Sequence, residues 1–110
     1  MSNIDQWPPH IFELYIVLAK RNHLRQSALA MLRILPRLVD SLDPQVYKPY
    51  TSMATIGFLL THLNRMIEIY ANDTDQYQIR LYRVNPLRLI EQRVVIADDV
   101  LSTIDALTTL

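Results

Sequence analysis

The sequence predicts an all-α fold, a single domain over residues 1–110 built as a bundle of four or five helices. The chain contains only one glycine, Gly57, whereas β-hairpin folds commonly use glycine in their turns. Apolar residues recur at helical spacing along most of the sequence. The breaks between these segments contain proline, asparagine and aspartate, which are typical of helix ends. Together these features favour helices joined by short connectors.

The first helix is predicted over residues 9–21, after an irregular lead-in over residues 1–8. Its apolar residues Ile11, Leu14 and Leu18 are spaced at i, i+3 and i+7, as on one face of a helix. The second helix is predicted over residues 24–42 and has one strongly apolar face, formed by Leu24, Ala28, Met31, Leu35, Leu38 and Leu42. Pro36 removes one backbone donor within it, so we expect a kink or a restart there.

The second half of the chain is predicted to contain connectors over residues 43–51 and 73–85 and a third helix over residues 52–73. Residues 77–84 alternate apolar and polar side chains, as an exposed strand does, but also fit a helical spacing. Because no second strand is evident to pair with them, helix or irregular structure is favoured. Residues 86–110 are predicted as a last helix with a heptad seam. Leu101, Ile104 and Leu107 on that helix are candidate interface residues for a protein partner.

Catalysis and cofactor binding are not expected from this sequence. The absence of cysteine excludes a thiolate metal site and a cysteine nucleophile. The histidines His10, His23 and His62 lack metal-ligand spacing. Asp98 and Asp99 are adjacent, so on a helix they point about 100° apart and cannot act as a catalytic pair. We therefore expect no enzyme, no cofactor, no metal and no small-molecule substrate.

The location is expected to be the cytoplasm. No signal peptide is evident, because the N-terminal residues MSNIDQWPPH lack a basic region followed by an apolar run. No stretch reaches the ~20 apolar residues of a membrane span. The lack of cysteine also fits a reducing compartment.

Arginine is the residue type that most favours a binding function. The chain has nine arginines and two lysines in a total of 11 cationic residues, balanced by 11 acidic residues. Residues 14–39 include five cationic side chains and no acidic one. The flat guanidinium fork suits phosphate and carboxylate groups. The candidate nucleic-acid-binding residues are Arg25, Arg33, Arg37, Arg80 and Arg83, although each also fits a solvated helix face or a protein interface.

Two stretches give the chain a resemblance to a known family. HLRQSALAMLRILPRL and YKPYTSMATIGFLLTHLNRMIE are predicted to form a leucine-rich helix, a tyrosine-proline connector and a second amphipathic helix. This succession resembles the small helical subunit of CRISPR surveillance complexes, and the helical C-terminal domain of their large subunit. The resemblance covers about residues 10–70. It implies a multi-copy subunit of an RNA-guided complex whose arginines contact nucleic-acid backbone.

The function expected from these features is that of a non-catalytic assembly subunit of a larger complex. Its partners would be other protein subunits or copies of itself, with RNA or single-stranded DNA contacted through the arginines. The alternative is a small helical adaptor or inhibitor that acts through protein contacts alone, as a homodimer formed by the last helix.

Overall fold

The protein has an α+β fold, with two helices followed by five strands and a third helix. The computed structural model describes residues 7, 10–21, 23–52, 54–73 and 75–110. In chain order the elements are α1 (Ile11–Leu18), α2 (Arg25–Ser41), β1 (Lys48–Ser52), β2 (Thr55–Leu60), β3 (Arg65–Asp73), β4 (Gln76–Arg83), β5 (Arg88–Val95) and α3 (Val100–Thr108). Most of the expected lead-in over residues 1–8 lies outside the described residues, and of it only Trp7 is described. Among the described helices, none combines the length and apolar character needed to cross a membrane.

The five strands form one antiparallel meander in the order β1-β2-β3-β4-β5. Phe58 of β2 lies opposite Ile67 of β3, and Ile69 of β3 lies opposite Ile79 of β4. Side chains alternate between the two faces of a sheet, so this register places the apolar residues of three neighbouring strands on one face. The other face is left open to solvent.

The core lies between that apolar face and the helices. The sheet contributes Ile56, Phe58, Leu60, Ile67, Ile69, Ala71, Tyr77, Ile79 and Leu81, all of them buried. Helix α2 covers them with Ala28, Met31, Ile34, Leu35 and Leu38, and α3 with Val100, Ile104 and Leu107. Trp7 adds an edge-to-face contact with Phe58, at 5.5 Å between ring centroids. The second helix is therefore the element that faces the centre of the sheet.

Three long-range hydrogen bonds fix the helical layer to the strand region. The Ser27 hydroxyl donates to the Ala71 carbonyl oxygen at 2.9 Å, and the Tyr77 hydroxyl donates to the Ala30 carbonyl oxygen at 2.7 Å. Tyr15 on α1 donates to the Ala54 carbonyl oxygen at 2.9 Å. Burial raises the pKa of the Tyr15 hydroxyl and that of the Tyr77 hydroxyl, so both remain donors at neutral pH. The Ser27 and Tyr77 bonds set the position of α2 along β3 and β4, and the Tyr15 bond joins α1 to the β1–β2 connection.

The predicted all-α helical bundle is wrong. The third helix expected over residues 52–73 is replaced by β2 and β3, and residues 77–84 lie largely in β4 rather than in a connector. The last predicted helix is divided into β5 and α3. Ile56, Leu60 and Ile67 fit a helical spacing, but Ile56 and Leu60 also alternate with Gly57 and Leu59 across a strand. Short apolar runs of this kind fit both periods.

Asparagine explains how a sheet forms with one glycine. Asn64, before β3, and Asn85, between β4 and β5, have φ angles of 52° and 63°. This left-handed region is one that asparagine tolerates better than most other residues. Two of the four strand connections, β2–β3 and β4–β5, therefore use asparagine where glycine is common, and the shortage of glycine does not exclude strands.

The first two predicted helices are confirmed, with shorter bounds for α1. Helix α2 spans 17 residues without interruption although Pro36 lies within it. The expected restart at Pro36 is therefore absent from the described helix. Pro36 is exposed, so its ring lies away from the sheet and the buried face of α2 remains continuous.

Replacing Tyr77 with phenylalanine should destabilise the fold, because the buried hydrogen bond from the Tyr77 hydroxyl to the Ala30 carbonyl oxygen is lost. We expect Tyr77→Phe to lower the free energy of unfolding by about 1 kcal/mol, measured by chemical denaturation. Tyr70→Phe is the matched control, since the Tyr70 hydroxyl is solvent-accessible and makes no hydrogen bond to the described residues. Equal effects of the two substitutions would contradict the role assigned to the Tyr77 hydroxyl.

Candidate functional site

Three arginines lie side by side at one corner of the sheet. Arg65 begins β3, Arg83 ends β4 and Arg88 begins β5. The register places Arg65 opposite Arg83, and Arg83 opposite Arg88. Neighbouring strands are about 4.8 Å apart, so the three Cα positions span only about 10 Å. We call these three residues the arginine row.

The charges of the arginine row are not neutralised by the described part of the chain. The described ion pairs involve Arg33, Arg37 and Arg93, but no member of the row. Arg65 donates through Nη1 to the carbonyl oxygens of Leu63 and Asn64, at 3.3 and 3.4 Å. Its buried Nε has no hydrogen-bond partner among the described residues. Like charges placed directly opposite one another destabilise a sheet, so this row is a local electrostatic cost that an anion would relieve.

Exposed aliphatic residues adjoin the arginine row. A hollow of about 340 Å³ is lined by the three arginines together with Leu89 and Ile90. Leu87, in the turn before β5, is 63% exposed. The β4–β5 register shifts so that Leu81 faces Glu91 while Tyr82 faces Leu89, which leaves Ile90 as an extra residue. Such an irregularity redirects side chains at a sheet edge, and it accounts for two neighbouring aliphatic residues beside the arginines.

The predicted nucleic-acid-binding residues do not form one continuous track. On α2, Arg33 lies 3.7 Å from the Asp75 carboxylate and Arg37 lies 3.1 Å from the Asp98 carboxylate. Arg25 is exposed at the start of the same helix. The carboxylates come from the β3–β4 and β5–α3 connections, so they are remote from α2 in the sequence and are brought to it by the fold.

The other two predicted residues lie on β4 and face opposite sides of the sheet. Arg80 points to the open face, where it donates to the side-chain oxygens of Gln92 and Gln78 at 3.0 and 3.2 Å. Arg83 belongs to the arginine row. Of the five predicted residues, only Arg83 is in that row, and sequence reasoning did not select Arg65 or Arg88 as site residues. Arg65 and Arg88 can be recognised as neighbours of Arg83 only from the strand register. A helical interpretation of these segments contains no such register.

The candidate interface residues on the last helix serve the protein's own core. Ile104 and Leu107 are buried, and Leu101 is partly buried against the same cluster. They follow helical spacing because α3 turns one apolar face towards β4 and β5. Ile104 and Leu107 are therefore inaccessible to a partner while α3 is packed in this way.

The open face of the sheet contains a second polar feature. Tyr50 lies over Gly57, where a Cβ would overlap its ring. The Tyr50 hydroxyl lies 2.8 Å from the Met66 sulfur and donates to a Glu68 carboxylate oxygen at 3.3 Å. Burial, and then the nearby Glu68 charge, raise the pKa of Tyr50.

The hollow on this face is a weaker candidate site than the arginine row. It has a volume of about 270 Å³ and is lined by Thr55, Glu68, Tyr70, Gln78 and Arg80. Arg80 already has two side-chain acceptors there. In the arginine row, in contrast, Arg65 Nε has no acceptor, and none of the three guanidinium groups pairs with a carboxylate on the described chain. We therefore take the row and its aliphatic neighbours as the functional site.

Removing the central charge of the arginine row should stabilise the protein. We expect Arg83→Gln to raise the free energy of unfolding by about 0.5 kcal/mol at low ionic strength, because it removes two cross-strand repulsions. The gain should shrink as salt is added. Arg21→Gln, at an exposed position after α1, is the control and should change stability less. A loss of stability in Arg83→Gln would show that the row is not repulsive.

No protein-family model, curated protein or solved structure matches this chain. The resemblance to the CRISPR small subunit thus stays a prediction from sequence. Its basis is corrected by the structure, because the second of its two helical stretches forms β1, β2 and the start of β3.

Proposed function

We propose that this protein is a non-catalytic binding subunit that docks onto an acidic segment of a protein partner. The docking site is the arginine row, Arg65, Arg83 and Arg88, together with the exposed Leu87, Leu89 and Ile90. The observation that supports this proposal is the alignment of three arginines in direct register without a described carboxylate beside them.

We further propose a cytoplasmic location, for which the absence of cysteine is the support.

The mixture of arginine and aliphatic side chains favours a protein partner. Arginine is enriched at protein interfaces and binds carboxylates through two parallel hydrogen bonds. Leu89 and Ile90 lie in the same hollow and would bury apolar side chains placed between the partner's acidic residues. A segment that combines glutamate or aspartate with leucine-like residues satisfies both halves of this surface.

The overall charge of the chain agrees with a local docking site. Eleven cationic and 11 acidic residues give a formal net charge of zero, so the molecule has no general attraction for polyanions. Ion pairs with Asp75 and Asp98 neutralise two arginines of α2. The corner is a place where three cationic side chains lie in direct register without a described carboxylate, and a negatively charged partner would be steered to it.

Nucleic-acid backbone is the second candidate ligand, because guanidinium groups also bind phosphate in bidentate fashion. Three phosphate contacts would give a logarithmic salt dependence with a slope of about −2 on single strands. Binding of single strands usually adds aromatic rings on which bases stack. The residues that line the hollow by the arginine row are arginine, leucine and isoleucine, so this candidate has less support.

Two probes separate these ligands. One is a fluorescent peptide in which glutamate and leucine alternate, and the other is a fluorescent single-stranded oligonucleotide of mixed sequence. We expect the unmodified protein to bind the peptide. Arg83→Glu should weaken that binding at least about tenfold, which corresponds to the loss of one charge-assisted pair. The new carboxylate can pair with Arg65 and Arg88, so this variant should fold.

Two control variants show whether a loss of binding comes from the arginine row and from contacts specific to the peptide. Arg21→Glu makes the same charge change at an exposed site outside the corner, and it should leave peptide affinity within about twofold. Leu87→Asp should weaken the peptide more than the oligonucleotide, since only the peptide has apolar side chains to bury. Equal losses in Arg83→Glu and Arg21→Glu would refute the proposed site. Binding of the oligonucleotide alone would establish the second candidate instead.

A further inference from the structure

Strand β5 is an unpaired edge of the sheet. It is last in the strand order, so no other described strand pairs with its outer side. Its eight residues extend over about 26 Å and present backbone donors and acceptors along that side. The opposite edge, β1, has five residues and contains Pro49, and short strands and proline both discourage pairing. The β5 edge is therefore the one suited to accept another strand.

The geometry of antiparallel pairing limits how β5 could pair with a second copy of itself. Residues opposite each other in such a pair point to the same face of the sheet. Neighbouring residues point to opposite faces. A two-fold axis must therefore pass through a residue of β5, which then faces its own counterpart. Because the register shift at Leu81–Tyr82 disrupts the start of β5, pairing along its outer side is confined to residues 90–95, with Ile90, the extra residue of that shift, at the end of this stretch.

Charge selects one of the remaining registers. Within residues 90–95, only an axis through Gln92 or through Arg93 pairs five residues of each strand. An axis through Arg93 would place that charge against itself, as an axis through Glu91 would, and like charges directly opposite are destabilising. An axis through Gln92 instead places Glu91 opposite the Arg93 of the second copy, twice over. The same axis places Ile90 opposite Val94, also twice. Both of these aliphatic residues are exposed in the single chain.

We propose that two copies of this chain pair antiparallel along β5, with the two-fold axis at Gln92, and form a continuous ten-stranded sheet. Glu91 and Arg93 already form an ion pair within one strand at 3.3 Å, and pairing gives each an additional partner of opposite charge. The exposed Ile90 and Val94 become covered by each other, which leaves Leu87 and Leu89 as the exposed aliphatic residues beside each arginine row in the dimer. This inference rests on the β5 edge and not on the proposed ligand of the arginine row.

The proposed dimer has a consequence for the arginine row. Arg88 is four residues from Gln92 on each copy, so the two rows would lie on opposite sides of the axis, about 26 Å apart along the strand direction. A partner with two acidic segments could then bind both corners of one dimer, with a gain in avidity set by the length of the chain between its segments.

Mass in solution, measured by light scattering over a range of protein concentrations, tests the dimer. Val94→Lys should raise the dimer dissociation constant at least tenfold, because lysine on a sheet edge opposes pairing. Val17→Lys on α1 is the matched control, since Val17 and Val94 are 52% and 53% exposed, and it should leave the constant within twofold. A wild-type protein that stays monomeric at every concentration, or equal effects of the two substitutions, would overturn the proposal.

Charge reversal tests the register. Glu91→Arg and Arg93→Glu should each weaken the dimer severalfold, because each places like charges opposite one another across the axis. The double variant should return the dissociation constant to within twofold of the wild-type value. Failure of the double variant to recover would refute the axis at Gln92.

The absence of cysteine from the chain allows a direct test of proximity. Gln92→Cys places two thiols face to face across the proposed axis, where directly opposite Cβ atoms lie within about 5.5 Å. We expect mild oxidation, or a short thiol cross-linker, to convert this variant to a covalent dimer. Gln78→Cys, on the same face but one strand inside the edge, should remain monomeric on a denaturing gel. Comparable cross-linking of both variants would argue against the proposed pairing.

Discussion

The structure depends on the burial of one sheet face beneath α2. Ile67, Ile69 and Ile79 are fully buried at the centre of that face, and each such side chain contributes about 2 kcal/mol when removed from water. The Ser27 hydroxyl of α2 then donates to the Ala71 carbonyl oxygen of β3, and the Tyr77 hydroxyl of β4 donates to the Ala30 carbonyl oxygen of α2. Apolar burial brings the two layers together but has little direction of its own, whereas these hydrogen bonds specify position. The strand register that places the three arginines side by side is the same register that brings the apolar residues together on the face beneath α2.

The sequence predicts the helical layer well and the sheet poorly, for a physical reason. Helix α2 has an apolar face repeated over more than four turns, and that length distinguishes a helical period from alternation. Strands β2 and β3 contain short apolar runs that fit both periods. What decides between them is pairing between strands, which depends on residues distant in sequence. At two turns, Asn64 and Asn85 adopt the backbone conformation that glycine would otherwise supply. The scarcity of glycine, which is the main argument against strands in the sequence, is therefore not decisive.

The candidate site, like the fold, could be predicted only in part from the sequence. The sequence indicates Arg83 only as an arginine suited to phosphate or carboxylate, but its importance comes from Arg65 and Arg88, which lie beside it only through strand register. Conversely, Arg33 and Arg37 looked like an unopposed basic face. The fold provides Asp75 and Asp98 to them from other elements. Composition thus indicates that arginine matters in this chain, whereas the position of uncompensated charge is a property of the tertiary structure.

One-sided burial also determines where binding surfaces can occur. The covered face and the three helices use most of the large apolar residues, including Ile104 and Leu107 of α3. What remains is the open face, the β5 edge and the corner where β3, β4 and β5 meet. On the open face, Arg80 already has glutamine acceptors. At the corner, by contrast, the guanidinium groups have no carboxylate partner on the described chain, and along the edge the outer backbone groups of β5 have no described strand to pair with. Unmet hydrogen-bonding capacity beside exposed aliphatic side chains is the property that a specific interface requires, and in this molecule both occur together along β5.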